Sequence, residues 1–198
     1  MAKMIAFPIV NNTEKFGFKP ARKKQSAKDV RPGQLNLFEG GKLVSIHQLS
    51  MFEEALLLDD HHDKRAKELY LKAIEVTDSV ADAYCNLGIL ESEDKNYSKA
   101  INYFTLSLKY EPRHYESHYN LANVYAELGN LLLAKIHYQT SIEIEPTFPN
   151  SYFNLGLTLA INKEYALAIN TLKVFQKLAD AEDCSQAQEL ISNLERSL

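Results

Sequence analysis

The chain has no tryptophan, two cysteines, seven glycines and six prolines in 198 residues. Each shortage removes something. Cys85 and Cys184 stand far apart and make no metal or redox spacing, so a disulfide framework is excluded and a reduced setting is expected. No stretch approaches the roughly 20 apolar residues of a membrane-spanning helix. The opening MAKMIAFPIV is cut by Pro8 and followed by Asn11-Asn12-Thr13, so it is a poor secretory signal. A soluble, cytoplasmic protein with no membrane contact is the expectation. The few glycines form no G-x-G-x-x-G, no P-loop and no G-x-S-x-G, which removes the phosphate cradles and the nucleophile elbow. Catalysis is therefore not expected, and neither is a cofactor or a metal.

Net charge is small and unevenly placed. The net charge is -4. Residues 1–40 carry Lys3, Lys15, Lys19, Arg22, Lys23, Lys24, Lys28 and Arg31 against Glu14, Asp29 and Glu39, a net +5 that leaves -9 for the rest. A basic head on an acidic body marks two regions with different work. The head lacks periodicity and holds Pro8, Pro20 and Pro32, so residues 1–41 are expected to be a flexible basic tail. Its lysines and arginines would touch phosphate only non-specifically, and aromatics are sparse there, so nucleic acid is not an expected partner except indirectly.

What is present is a repeat. Three stretches align without gaps from Ala81, Tyr115 and Pro149, with starts 34 residues apart. Asn86-Leu87-Gly88 recurs as Asn120-Leu121-Ala122 and Asn154-Leu155-Gly156. Ala100, Ala134 and Ala168 share a register, as do Phe104, Tyr138 and Leu172. Pro112 and Pro146 each close a unit, because proline cannot continue a helical ladder. Every unit holds two runs with apolar residues at helical spacing. The small residues Gly88, Ala122 and Gly156 let the second helix approach, and Gly129 and Asn96 fall in the turn, where a left-handed residue is often needed.

This period and these positions resemble the tetratricopeptide repeat (TPR) family over residues 81–180. The resemblance implies an all-α, right-handed α-solenoid of stacked helix–turn–helix units. Ala66, Tyr70 and Ala73 mark a degenerate first unit over residues 42–80, its first helix running from about Ile46, with Asp78 in place of the closing proline. Ala187, Leu190, Ile191, Leu194 and Leu198 share one face, which reads residues 181–198 as a capping helix.

The resemblance also implies a concave groove lined by the first helix of each unit. Its positions are Asp82, Cys85, Asn86, Ile89 and Glu93; Glu116, Tyr119, Asn120, Asn123 and Glu127; and Asn150, Phe153, Asn154, Leu157 and Ile161. Asn86, Asn120 and Asn154 form one amide per repeat. They read either as a ladder for a peptide backbone, similar to that of O-GlcNAc transferase, or as a common residue at this position. The groove offers no Lys or Arg where chaperone-binding members grip an acidic C-terminus. A protein or peptide partner with a neutral-apolar or basic segment is expected, and acidic chaperone tails are not. Homo-oligomers stay open, since TPR faces often pair. Tyr84, His118 and Tyr152 read as packing residues, and the His114/His118 pair lacks the carboxylate of a zinc motif.

One motif in the head points elsewhere. Gln34, Leu35, Asn36, Leu37 and Phe38 resemble the pentapeptide by which bacterial replication and repair proteins dock on the DNA sliding clamp. The segment also resembles the linker of some MerR-type regulators fused to repeats, though their helix-turn-helix head has no counterpart here. The alternative to a scaffold is thus a factor linked to DNA replication, repair or regulation. The other reading of Leu35, Leu37 and Phe38 is packing on the first repeat helices.

Overall fold

A computed structural model describes residues 49–180 and 184–197. The tail expected over residues 1–41 and the Gln34–Phe38 motif lie outside the described residues. So does the start expected near Ile46 for the first helix.

The described residues form α1 (Met51–Asp60), α2 (Arg65–Glu75), α3 (Val80–Glu93), α4 (Tyr97–Tyr110), α5 (Tyr115–Glu127), α6 (Leu131–Ile144), α7 (Pro149–Ile161), α8 (Tyr165–Leu178) and α9 (Cys184–Glu195). Among them no strand occurs. Consecutive helices pair as hairpins, and each hairpin stacks on the next. The first helices also touch across hairpins, α3 on α5 and α5 on α7. The stack therefore curls with α1, α3, α5 and α7 toward its inner side.

Local chemistry sets the helix ends. Ser50 opens α1 with a reciprocal capping box: its hydroxyl accepts from the Glu53 N–H, and the Glu53 carboxylate accepts from the Ser50 N–H. Pro149 occupies the first turn of α7, where no N–H is needed. Pro112 and Pro146 follow the ends of α4 and α6 by two residues. In the turns, the left-handed position is His62, Lys95, Gly129 and Lys163, with φ of 54, 59, 77 and 63°. Asn96 was expected to share this role. It sits one residue later, at φ -82°, and its amide donates to the Glu91 carboxylate instead.

Packing explains the small residues. A Cβ on Gly88 would lie 2.6 Å from the Phe104 ring, and one on Gly156 would lie 2.7 Å from Leu172. The second helix cannot sit where it does unless those positions are bare. Phe104, Tyr138 and Leu172 then fill the hairpins, each fully buried. Burying such a side chain is worth about 1.5–3 kcal/mol. At the far end Ala187, Leu190, Ile191 and Leu194 of α9 close the core that includes Leu172 and Phe175. No single hairpin encloses its own apolar face, so the array is stable only as a stack.

Candidate functional site

The inner side is built from the first helices, and charge distinguishes it. α1 carries Glu53, Glu54, Asp59 and Asp60; α3 carries Asp82, Glu91 and Glu93; α5 carries Glu116 and Glu127; α7 carries none. None of these helices contains Lys or Arg. The second helices reverse the balance. Arg65, Lys67, Lys72, Lys99, Lys109, Lys135, Lys173 and Lys177 stand there against Glu68, Glu75 and Glu143. Glu91 is buried against Lys67, so the acids that keep exposed surface number four on α1, two each on α3 and α5 and none on α7. At α7, Phe153, Leu157 and Ile161 recur every four residues on one helical stripe. The first two are half-buried, and Ile161 is 43% exposed.

Several residues expected in the groove belong to the seams between repeats. Asn86 and Asn120 have no exposed surface, and Asn154 keeps 4%. The Asn86 amide donates to the Tyr70 hydroxyl at 3.2 Å, and the Asn120 amide to the Cys85 sulfur at 3.6 Å. The Asn154 amide donates to the Tyr119 hydroxyl at 3.0 Å and to Asn123 Oδ1 at 2.9 Å. Asn123 Oδ1 also accepts from the Tyr138 hydroxyl. This corrects the ladder: the amides satisfy buried hydroxyls and a thiol, as buried polar groups must, and present nothing to a ligand. Cys85 and Ile89 are likewise buried, and Tyr119 meets Phe148 edge to face with ring centres 5.1 Å apart. Burial pushes the Cys85 thiol up to about 12, so it is protonated and inert as a nucleophile.

The remaining groove positions face outward from the seams. Glu93 and Glu127 are exposed, while Asp82, Glu116 and Asn150 are half-buried. Asp82 meets His114 Nε2 at 3.0 Å, and His114 Nδ1 accepts the Ser117 N–H, so that ring caps α5. Sequence spacing had no way to show this pairing, because Asp82 and His114 lie 32 residues apart. A second pattern was also missed. Ser107 meets Ser117 at 2.6 Å, and Ser141 meets Ser151 at 2.8 Å, one hydroxyl pair in each of two successive seams. The 34-residue recurrence of these serines was the available signal.

The described histidines hold no metal geometry. His118 Nε2 lies 3.2 Å from the Pro112 carbonyl, which can only accept. In the neutral ring that leaves Nδ1 as an acceptor, so His137 Nδ1, 3.0 Å away, must donate. Burial lowers the affinity of both rings for a proton, His137 to about 4. His118 stacks on His137, and Tyr84 on Tyr103 and Tyr110; the Tyr152 hydroxyl donates to the Pro146 carbonyl. All three are packing residues. Among the described residues no three of His, Cys, Asp and Glu converge as metal ligands, and no helix is long and apolar enough to cross a membrane.

Comparison with known proteins agrees with this geometry. Family models described as Tetratricopeptide repeat match residues 81–114, 115–148 and 137–170. Protein O-mannosyl-transferase TMTC3 of Homo sapiens is 35% identical over 113 residues, which is 55% of this chain and 12% of that protein. Tetratricopeptide repeat protein 27 homolog of Dictyostelium discoideum is 34% identical over 111 residues, again 55% and 12%. The chain thus spans about an eighth of the length of these curated relatives. Among solved structures, the first TPR of Spaghetti (RPAP3) bound to HSP90 peptide SRMEEVD superposes with a TM-score of 0.56 at 14% identity, over 59% of this chain and 91% of that one. The TPR2B-domain:pHsp70 complex of yeast Sti1 gives 0.55 at 21%, over 60% and 98%. The MamA RS-1 ArsTM double mutant gives 0.58 at 15%, over 74% and 92%.

Proposed function

The chain is a tetratricopeptide-repeat protein, and from that premise we propose that it is a non-catalytic scaffold whose inner wall holds a basic or neutral-apolar segment of a protein partner. Protein interaction is what the repeats and their peptide-bound neighbours support; the chemistry of the segment is our reading. The observation that carries it is the complete lack of Lys and Arg on α1, α3, α5 and α7, set against the acids of the first three. An acidic peptide such as the one bound to Spaghetti would meet like charge along that wall, which costs binding energy. A lysine-bearing peptide meets opposite charge and gains association rate as well. The contact set is Asp82, Glu93, Glu116, Glu127, Asn150, Phe153, Leu157 and Ile161, the groove positions that retain exposed surface. The protonated, fully buried Cys85 supports a non-catalytic role.

Fluorescence anisotropy with a labelled peptide rich in Lys and Phe tests this reading. Charge reversal on the inner wall, Glu93→Lys with Glu127→Lys, is expected to weaken binding at least tenfold. Glu143→Lys on the outer helix α6 is expected to leave it unchanged. Equal losses from both, or none from either, would remove the reading.

A further inference from the structure

We propose that the rim of the seam between α6 and α7 docks a segment of a partner protein through one tyrosine side chain. The observation is a difference between two equivalent seams. Where α4 meets α5, Tyr97, Ile101 and Tyr125 pack against the buried core of the seam. The residues 34 positions further on are Leu131, Lys135 and Leu159. These three help to line a cavity of about 260 Å³ between α6, the end of α7 and the turn that follows it. Two rings have become two leucines, and an isoleucine has become a lysine that turns to Glu164, its Nζ 2.6 Å from the carboxylate. The seam lacks the aromatic volume that its predecessor carries.

The rim differs in the same sense. Leu132 lines the cavity and is 70% exposed, and Leu128, in the turn before α6, is 51% exposed. The preceding repeat has Ser98 and Asp94 at these positions. Exposed apolar surface gathered at a cavity marks an interaction site.

Volume sets the class of occupant. Pockets for small molecules span roughly 300–1,000 Å³. A cavity of about 260 Å³ suits one large side chain instead, the kind of anchor that dominates protein interfaces. The chain's own filling at the preceding seam is tyrosine, an apolar ring with a polar tip. Here that tip meets Glu164, whose carboxylate accepts from Lys135 and Asn162 and keeps acceptor capacity for a phenol. Residues 1–48 contain no tyrosine, so the stretch ahead of the described helices does not supply the anchor. None of the cavity's lining residues belongs to the inner-wall contact set, so this surface is tested separately from that one.

The test uses the full chain and three probes. One is p-cresol, the tyrosine side chain alone. The others are a capped, uncharged pentapeptide with tyrosine between two leucines, and the same peptide with alanine in place of tyrosine. Amide spectra should show saturable shifts at Leu131, Leu132, Leu159 and Asn162 with p-cresol and with the tyrosine peptide. The alanine peptide should bind at least tenfold more weakly. Leu131→Tyr and Leu159→Tyr each introduce the residue that the preceding seam carries. Each should raise the Tm and weaken p-cresol and the tyrosine peptide at least tenfold. Leu132→Ser, a surface change, should weaken the tyrosine peptide without lowering the Tm. Glu93→Lys with Glu127→Lys on the inner wall should leave p-cresol and the tyrosine peptide unaffected. Shifts elsewhere or none at all, equal affinity of the two peptides, or unchanged binding in all three leucine variants would overturn the proposal. Loss of binding in the inner-wall variant would overturn it too. So would shifts at the same amides that grow with chain concentration before any probe is added, which would assign the site to a second copy.

Discussion

The first and second helices of this stack follow one packing pattern and diverge in charge. Both kinds place a small residue where a neighbour presses close, as Gly88 does under Phe104. Yet among the described residues the first helices hold only acids and the second helices hold most of the bases. Packing dictates the periodic apolar and small positions and is indifferent to the sign of charge at the others. Part of that sorting is structural, because the buried Glu91 of α3 pairs with Lys67 of α2; under the proposed function, the exposed remainder bears on binding.

Substitutions that touch packing should cost the most and should not respect the division between the two sides. Phe104→Ala empties a fully buried site on a second helix and should destabilise by about 3–5 kcal/mol, read as a large drop in the urea midpoint. Gly88→Ala on a first helix drives a Cβ into the Phe104 ring and should cost about 1–3 kcal/mol. A neutral Gly88→Ala would show that the hairpin opens more easily than the close approach implies. Asn154→Ala removes two donated hydrogen bonds, to Tyr119 and Asn123, and should cost about 1–2 kcal/mol. Peptide affinity in the folded variant should barely change, because the amide is buried. A folded Asn154→Ala that loses binding would restore the ladder.

Acid should act through a pair that bridges a first and a second helix. His118 of α5 and His137 of α6 are held neutral by burial, with His137 titrating near 4. The unfolded chain takes up protons below about 6.5. Their contribution is therefore fully present above that pH and is lost as pH falls toward 4. The Tm should decline between pH 7 and 5, and His137→Gln should flatten the decline; an equal decline in the variant would assign it elsewhere. The smallest effects belong to charge. Neutralising Glu127 alone should leave stability within about 0.5 kcal/mol and weaken a basic peptide only two- to fivefold, as measured by anisotropy.

Much of the fold was legible because it is periodic. The recurrence of Asn86, Gly88, Ala100, Phe104 and Pro112 at intervals of 34 residues located the hairpins. The irregular joints were not legible. Asp78, where a closing proline was absent, accepts a hydrogen bond from the Phe52 N–H at the start of α1, while Thr77 and Ser79 take left-handed φ of 57 and 48°. Nothing in local spacing marks a contact across 26 residues. The charge of the first helices could be read from the sequence, and the burial of their amides could not. Periodicity placed Asn86, Asn120 and Asn154 on the first helices, but it does not say whether a residue beside a seam points into the groove or into the next repeat. The hydroxyls of Tyr70 and Tyr119, which decide this, arrive from other repeats.

The most direct measurement is an amide shift map of the full chain against two peptides of equal length, one rich in Lys and Phe, the other the acidic SRMEEVD. The account predicts shifts at Glu93, Glu116, Glu127, Phe153, Leu157 and Ile161 with the first peptide and none with the second. Binding of the acidic peptide to the inner wall as tightly as the basic one, or shifts confined to the second helices, would contradict it.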